Sequence, residues 1–373
     1  MSQPSDKRLY QIALTKIAGV GDIIGRNLLQ VMGGDAEAIF KANRKTLINK
    51  GIPARIADEI LKKEVLLNAE KELNFIDKNK LSFYFIADDA YPTRLKECSD
   101  APLALYFKGN VDFNNEKVIS IVGTRQSTAY GNKFCDTFLE EISSSLPGTL
   151  IISGLAYGID INAHRAALKH GLPTIGVLAH GLDIIYPAQH RQTAVEMLAN
   201  GGLLTEFPST TQPDRFNFVR RNRIVAGMAD AIIVVESDEK GGSLITADFA
   251  NSYCKDVFAT PGKTTDKYSK GCNKLIASHK ADLFLSTSYF LQQMGWDKAS
   301  AKQKKAPRQQ DLFLVLTEEE QKIVDTLSKT ESLHIDQLAR ELGIPTYTLF
   351  STLLEMEMKG IIKNLPGNLF CLS

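Results

Sequence analysis

The chain has 373 residues, enough for two or three domains. Its hydrophobic content of 44% is that of a globular protein, and no run of about 18 apolar residues occurs, so no membrane span is expected. The formal net charge of +1 excludes a uniformly basic surface, so any nucleic-acid contact must be a local patch.

The amino terminus, MSQPSDKRLY, lacks the apolar core of a signal peptide. The five cysteines (98, 135, 254, 272 and 371) are scattered, with no CxxC pair. That usage points to reduced thiols in a cytoplasm and away from structural zinc. From Asp6 to about Ala69 the apolar pattern is helical, and residues 1–75 are expected to form a helical domain. Inside it, IAGVGDIIGRNLLQ (17–30) resembles a helix-hairpin-helix, in which hairpin amides hold a DNA phosphate. The same residues also read as an αα-hairpin with glycine caps and no ligand.

Residues 80–295 change rhythm. Phe83–Ile86 and Leu103–Phe107 read as strands. Further strand candidates at 118–122, 149–153, 173–179, 202–207, 230–236 and 256–260 alternate with helical segments. This predicts an α/β fold with a doubly wound, mostly parallel sheet. The organising stretch is VISIVGTRQSTAY (118–130), a strand apolar enough for burial on both faces, then a polar loop, then a helix. Open α/β sheets bind ligands at the carboxyl ends of their strands. Gly123 permits a tight turn, Thr124 and Ser127 are polar, and Arg125 can grip a phosphate with two bonds. The bland reading is a surface arginine on a connecting loop.

Three more loops share this position. In SGLAYGID (153–160), Ser153 ends a strand, Gly154 and Gly158 let the backbone approach a ligand, and Asp160 falls in the first turn of a helix. The spacing is not the dinucleotide fingerprint. Asp160 and His164 stand four apart on one helix face, but an aspartate there more often stabilises the helix end than binds metal. In NFVRRNRIVAG (217–227), Arg220, Arg221 and Arg223 cluster around Asn222, and Arg220 and Arg223 share a helix face. Three close arginines suit anion binding, whereas the bland reading is a solvated turn. In EKGGSLITAD (239–248), Lys240 precedes two glycines and a helix starts near Ser243, so the amides around Gly242 and Ser243 could form an anion nest. No Lys-Ser/Thr pair follows, which rules out a Walker A loop. Lys263, Lys267 and Lys270 line 260–276, and Tyr186 and Tyr268 offer stacking faces.

No nucleophile–base pair stands out, and no catalytic residue, metal or cofactor is expected. Lys298–Asp311 is polar, basic and short of large apolar side chains, so residues 298–314 are expected to be a linker. Residues 315–373 are expected to form a winged-helix domain. Thr317 with Glu320 fits a capping box, Ile335–Leu342 and about Tyr347–Lys359 fit a helix-turn-helix, and Ile361–Lys363 with Leu369–Cys371 fit a hairpin around LPGN. The second helix of the turn carries no arginine, so a protein contact is at least as good a reading as duplex binding.

GTRQSTAYG, SGLAYGID, GLDIIYP, RRNRIVAG, GGSLITA and FATPG, in this order, resemble the DNA-processing protein A family (DprA, also called Smf) over roughly residues 80–290. The resemblance implies an extended Rossmann-like domain that binds single-stranded DNA, usually as a homodimer. It also implies loading of the recombinase RecA onto incoming strands in natural transformation. By position, Arg125 matches the family's loop arginine, Arg221-Asn222-Arg223 its Arg-Asn-Arg motif, and Gly154, Gly158 and Asp160 its glycine loop. Val219, His190 and Gly241 depart from the residues usual there. The expected DNA-binding set is Gly123, Thr124, Arg125, Ser127, Ser153, Gly154, Gly158, Asp160, Arg220, Arg221, Asn222, Arg223, Lys240, Gly242, Ser243 and Lys263. The runner-up is an enzyme resembling the lysine decarboxylase-like phosphoribohydrolases, which cleave nucleoside monophosphates. Its second Gly-Thr is missing here, and Asp248 falls near the place of its glutamate. A third reading is a scaffold acting through its terminal domains.

Overall fold

A computed structural model describes residues 6–297, 317–328, 330, 332–365 and 369–372. The expected linker (298–314) and the Pro366–Asn368 tip of the hairpin lie outside the described residues. The chain divides into two compact units, Met1–Asp297 and Lys298–Ser373.

The first unit begins with six helices: α1 (Lys7–Thr15), α2 (Asp22–Val31), α3 (Ala36–Lys41), α4 (Arg44–Asn49), α5 (Ala54–Ile60) and α6 (Lys63–Asn79). Asp6, Asp35 and Asn43 cap α1, α3 and α4 with their side chains, each supplying an acceptor to a first-turn amide. Between α1 and α2, Gly19 takes φ +77°, which a β-carbon would resist. These helices are bolted to the sheet that follows. Asp22 accepts from the Leu103 amide at 3.0 Å, Arg26 donates to the Ala101 carbonyl at 2.6 Å, and Glu72 accepts from the Ser209 amide at 2.8 Å. One apolar core runs from Ile12 in α1 to Leu275 beyond the sheet's centre.

Nine strands form the sheet: β1 (Ser82–Phe85), β2 (Ala104–Asn110), β3 (Val118–Val122), β4 (Leu150–Ser153), β5 (Thr174–Val177), β6 (Gly201–Thr205), β7 (Ala231–Val234), β8 (Asp256–Ala259) and β9 (Asp282–Leu283). Their order is β1-β2-β6-β5-β4-β3-β7-β8-β9. β1, β2 and β6 pair antiparallel, and every pair from β6 through to β9 is parallel. The helices between strands are α7 (Thr93–Lys96), α8 (Ala129–Ser145), α9 (Ile159–Lys169), α10 (Arg191–Met197), α11 (Arg215–Gly227), α12 (Gly242–Ser252), α13 (Lys270–Ala277) and α14 (Thr287–Gln293).

All five residues of β3 are buried, as a strand covered on both faces requires. Ile119 and Ile121 pack with Phe138 of α8, Ala163 of α9 and Phe290 of α14. Val118 and Val122 belong to the opposite layer, with Ile224 of α11 and Ala247 of α12. β3 pairs with β4 on one side and β7 on the other. The strand order therefore reverses between β3 and β7. The carboxyl ends of these two strands are the switch point at which open α/β sheets hold ligands.

In the second unit, helices Glu318–Leu327, Ile335–Leu342 and Thr346–Met358 pack around Ile323, Leu338, Leu349 and Leu353. A three-stranded sheet completes it, with Leu369–Leu372 between Leu333–His334 and Ile362–Leu365. The capping box forms as expected, Thr317 and Glu320 each accepting from the other's amide. This is a winged-helix domain.

Candidate nucleic-acid interface

The loops after β3, β4 and β7 meet over a cleft of about 960 Å³ that α11 and α12 close from the other side. The β3 loop is fixed from below. Gly123 leaves room for Ile159, whose Cγ1 would lie 2.5 Å from a β-carbon. The Thr124 amide donates to the Glu236 carbonyl at 2.6 Å, and the Thr124 carbonyl accepts from the Ile159 amide at 3.1 Å. Gly158, at φ +76°, brings the β4 loop so close that a β-carbon would stand 2.2 Å from the Thr124 carbonyl oxygen. The two loops are one rigid body, and the glycine is there for the approach as well as the dihedral.

The amino terminus of α8 is already satisfied. Glu236, at 4% exposure, accepts from the Thr128 amide at 2.9 Å and the Thr128 hydroxyl at 2.6 Å. A buried carboxylate of the protein thus stands beside the start of this helix. Asp214 caps α11 through the Phe216 amide, as Thr128 caps α8 through the Tyr130 amide. By contrast, α12 has no side-chain cap, and its Gly241, Gly242 and Ser243 line the cleft. Asn222 of α11 reaches over to the Gly242 carbonyl at 3.4 Å.

The three arginines of α11 part company. Arg221 is 4% exposed, lies against Gly154, and donates from Nη1 to the Val177 carbonyl at 2.6 Å. A β-carbon on residue 154 would stand 1.9 Å from that Nη1, so this glycine makes room for a guanidinium rather than for a ligand. Asp160 supplies the nearest opposing charge, but its Oδ2 is held by the Gly154 and Ala156 amides at 3.2 and 3.4 Å. Burial pushes the Asp160 carboxyl up, against the pull of Arg221, and pushes Arg221 down. Arg221 Nε has no partner, and Arg221 lines the cleft.

Arg220 and Arg223 go elsewhere. Arg223 donates to Asp22 at 3.1 Å, to Glu206 at 2.6 Å and to the Asp100 carbonyl. Arg220 meets the same two carboxylates at 3.1 and 2.7 Å and lies over the Phe207 ring. Neither lines the cleft. They share a helix face as expected, but the anions on that face belong to the protein and tie α2 to the sheet. Burial nonetheless pushes the Glu206 carboxyl up to about 7.

Of the other expected residues, Arg125 is exposed on the cleft wall with its guanidinium 5.1 Å from the Phe218 ring centroid and no ion pair among the described residues. Lys240 is exposed on the rim. Ser127 accepts from Asn162 at 3.1 Å. Ser153 is fully buried and donates to the Ile121 carbonyl, and the Ser243 hydroxyl donates to Ser237. Those two hydroxyls serve the protein. Lys263 lines an adjoining groove with Tyr130 and Tyr268. Tyr186, which the sequence offered for stacking, is 46% exposed in the main cleft and packs against Phe218 at 6.0 Å. His164 Nδ1 contacts Thr174 Oγ1 at 2.7 Å, and no group of three or more metal-ligating side chains occurs among the described residues. Glu236 and Phe218 were missed. The signal for Glu236 was an acid closing the buried strand IIVVE. Phe218 had none beyond its place beside the arginines.

A doubly wound sheet with an arginine-lined cleft at its switch point, followed by a winged helix, defines a protein of the extended Rossmann class. The model of the family described as DNA recombination-mediator protein A matches residues 82–295, and that of the DprA winged helix domain matches 303–368. Protein Smf of Synechocystis is 30% identical over 97% of this chain and 98% of its own length. DNA processing protein DprA of Streptococcus pneumoniae is 40% identical over 53% of this chain and 69% of its own. The X-ray structure of the Streptococcus pneumoniae protein superposes with TM-score 0.62 at 32% identity, covering 76% of this chain and 97% of that one. DNA processing protein A from Helicobacter pylori, whose structure describes a single-stranded DNA binding mode, gives TM-score 0.52 at 28% identity over 58% and 95%. The chain belongs to the DNA recombination-mediator protein A family.

Proposed function

We propose that this protein binds single-stranded DNA in the cleft between β3, β7, α11 and α12, protects the strand and loads RecA onto it during natural transformation. It does so as a cytoplasmic homodimer and without catalysis. The observation that carries the reading is Arg125. It is exposed, unpaired among the described residues, and lies over the Phe218 ring in the cleft lining. An arginine left without a carboxylate, next to a buried second arginine and an uncapped helix, suits phosphate. The aromatic pair Tyr186–Phe218 suits unpaired bases, which a duplex cannot offer. The Helicobacter pylori relative's single-stranded DNA binding supports the same assignment.

The contacting set we favour is Arg125, Arg221, Asn222, Lys240, Gly242 and Lys263, with Thr124, Gly123, Gly154, Gly158 and Asp160 shaping the floor. The hydrolase alternative draws no support from Asp248, which is exposed, paired with Lys280 at 2.8 Å and outside the cleft lining. The test is fluorescence anisotropy with labelled oligothymidylate and a duplex of equal length, run beside a nucleoside monophosphate hydrolysis assay. Preference for the single strand without turnover is expected. Turnover lost in Asp248→Ala would replace this reading with the enzyme.

A further inference from the structure

Arg125 on the cleft wall and Arg221 on its floor line one space, and neither makes an ion pair among the described residues. The charge of Arg125 acts on Arg221, and Asp160, the carboxylate beside them, has its Oδ2 committed to backbone amides. Arg221 uses one of its five N–H groups on the Val177 carbonyl and leaves Nε without any partner at 4% exposure. α12 opens on the same space with no side-chain cap, and Lys240 stands at its rim. Elsewhere on α11 the protein meets two arginines with two carboxylates, Asp22 and Glu206. In the cleft the three carboxylates of the lining are engaged otherwise: Asp160 with the Gly154 and Ala156 amides, Asp214 with the Phe216 amide, and Asp238 with the Glu239 amide and Lys267.

Resting on the single-strand reading above, we propose that the cleft floor is a seat for a terminal phosphate monoester, carried by a strand end or by a free nucleotide. An internal diester offers two free oxygens and one charge. A monoester offers three oxygens and up to two charges, which better matches two guanidiniums, an ammonium and a helix terminus. The depth of Arg221 favours the same choice. A terminal group enters head-on, whereas an internal phosphate must bring chain in and out of the floor. At about 960 Å³ the cleft is of the size that holds a small-molecule ligand. The Tyr186 ring at its mouth gives the attached base a stacking face.

The experiment displaces a labelled oligothymidylate from the full chain with unlabelled competitors. These are a short oligothymidylate carrying a 5′-phosphate, a 3′-phosphate or neither, and then dTMP, thymidine and inorganic phosphate. One phosphorylated end should compete about ten-fold better than the unphosphorylated strand, the size of a charge-assisted hydrogen bond. Which end does so identifies the strand source, and displacement by dTMP but not thymidine identifies the nucleotide source. Lys240→Ala, an exposed substitution that leaves the fold intact, should erase most of the preference. Equal competition by all three strands overturns the terminal seat while leaving single-strand binding in place. Inorganic phosphate matching dTMP mole for mole also overturns it, because the site would then read an anion alone. A probe that never binds refutes the strand reading instead, and direct calorimetry with dTMP then decides the seat independently.

Discussion

Replacing Arg125 by alanine isolates the cleft's most accessible charge. The side chain is exposed and holds no ion pair among the described residues, so its loss should change stability by no more than about 0.5 kcal/mol. Binding should suffer far more. A hydrogen bond to a charged group contributes about 1.5–3 kcal/mol, which converts to roughly 10- to 100-fold in affinity. The salt dependence is the sharper readout. Of the expected cations, Arg125, Arg221, Lys240 and Lys263 reach the cleft and its adjoining groove, where Arg215 and the Asp238-paired Lys267 also stand, whereas Arg220 and Arg223 are held by Asp22 and Glu206. Four phosphate contacts on a single strand give a slope of log affinity against log salt of roughly −3, and each contact is worth about 0.7 of it. Arg125→Ala should flatten the slope by that amount and weaken all base sequences alike, because phosphate contacts carry no sequence information. Arg125→Lys should keep the slope while losing the two-bond grip. Oligothymidylate titrated at several salt concentrations against all three proteins measures this. An unchanged slope in Arg125→Ala would refute the placement of this residue at phosphate and return the β3 loop to a plain connection.

Gly158→Ala should destabilise the protein by about 1–3 kcal/mol and weaken strand binding, because the new methyl meets the Thr124 carbonyl rather than a movable side chain; a wild-type melting curve with wild-type affinity would contradict the rigid pairing of the two loops. Burial raises the Glu206 carboxyl from 4.5 to about 7, so the folded state holds this proton more tightly than the unfolded chain. Its contribution to stability is therefore fully present below about pH 4.5 and is lost as pH rises through about 7. Denaturant midpoints of wild type minus those of Glu206→Gln should fall across that window, and a flat difference would show an unshifted carboxylate. Residues 1–297 should fold alone and keep single-strand binding in a mobility shift, since the cleft lies wholly inside that unit. Loss of binding in that truncation would move the site to the winged helix.

The sheet was legible because each parallel strand is a short apolar run with a polar loop after it, and burial on both faces writes that contrast directly into sequence. The switch point followed less directly. That β7 returns beside β3 rather than continuing past β6 is a fact of pairing, which no single run of residues encodes. The charged motif shows where reading residue by residue fails. RRNR was legible as a helix segment with Arg220 and Arg223 on one face. What each face meets depends on Asp22, which is 198 residues from Arg220 in the chain, and on Glu206. Partners that far apart leave no local trace, so three arginines looked alike. The helical period separated them, sending two to carboxylates of the protein and one to the floor of the cleft. An acid supplied by the fold and an anion supplied by a ligand ask for the same arginine. Only the partners of each guanidinium tell them apart, and among the described residues Arg220 and Arg223 hold ion pairs while Arg125 and Arg221 hold none.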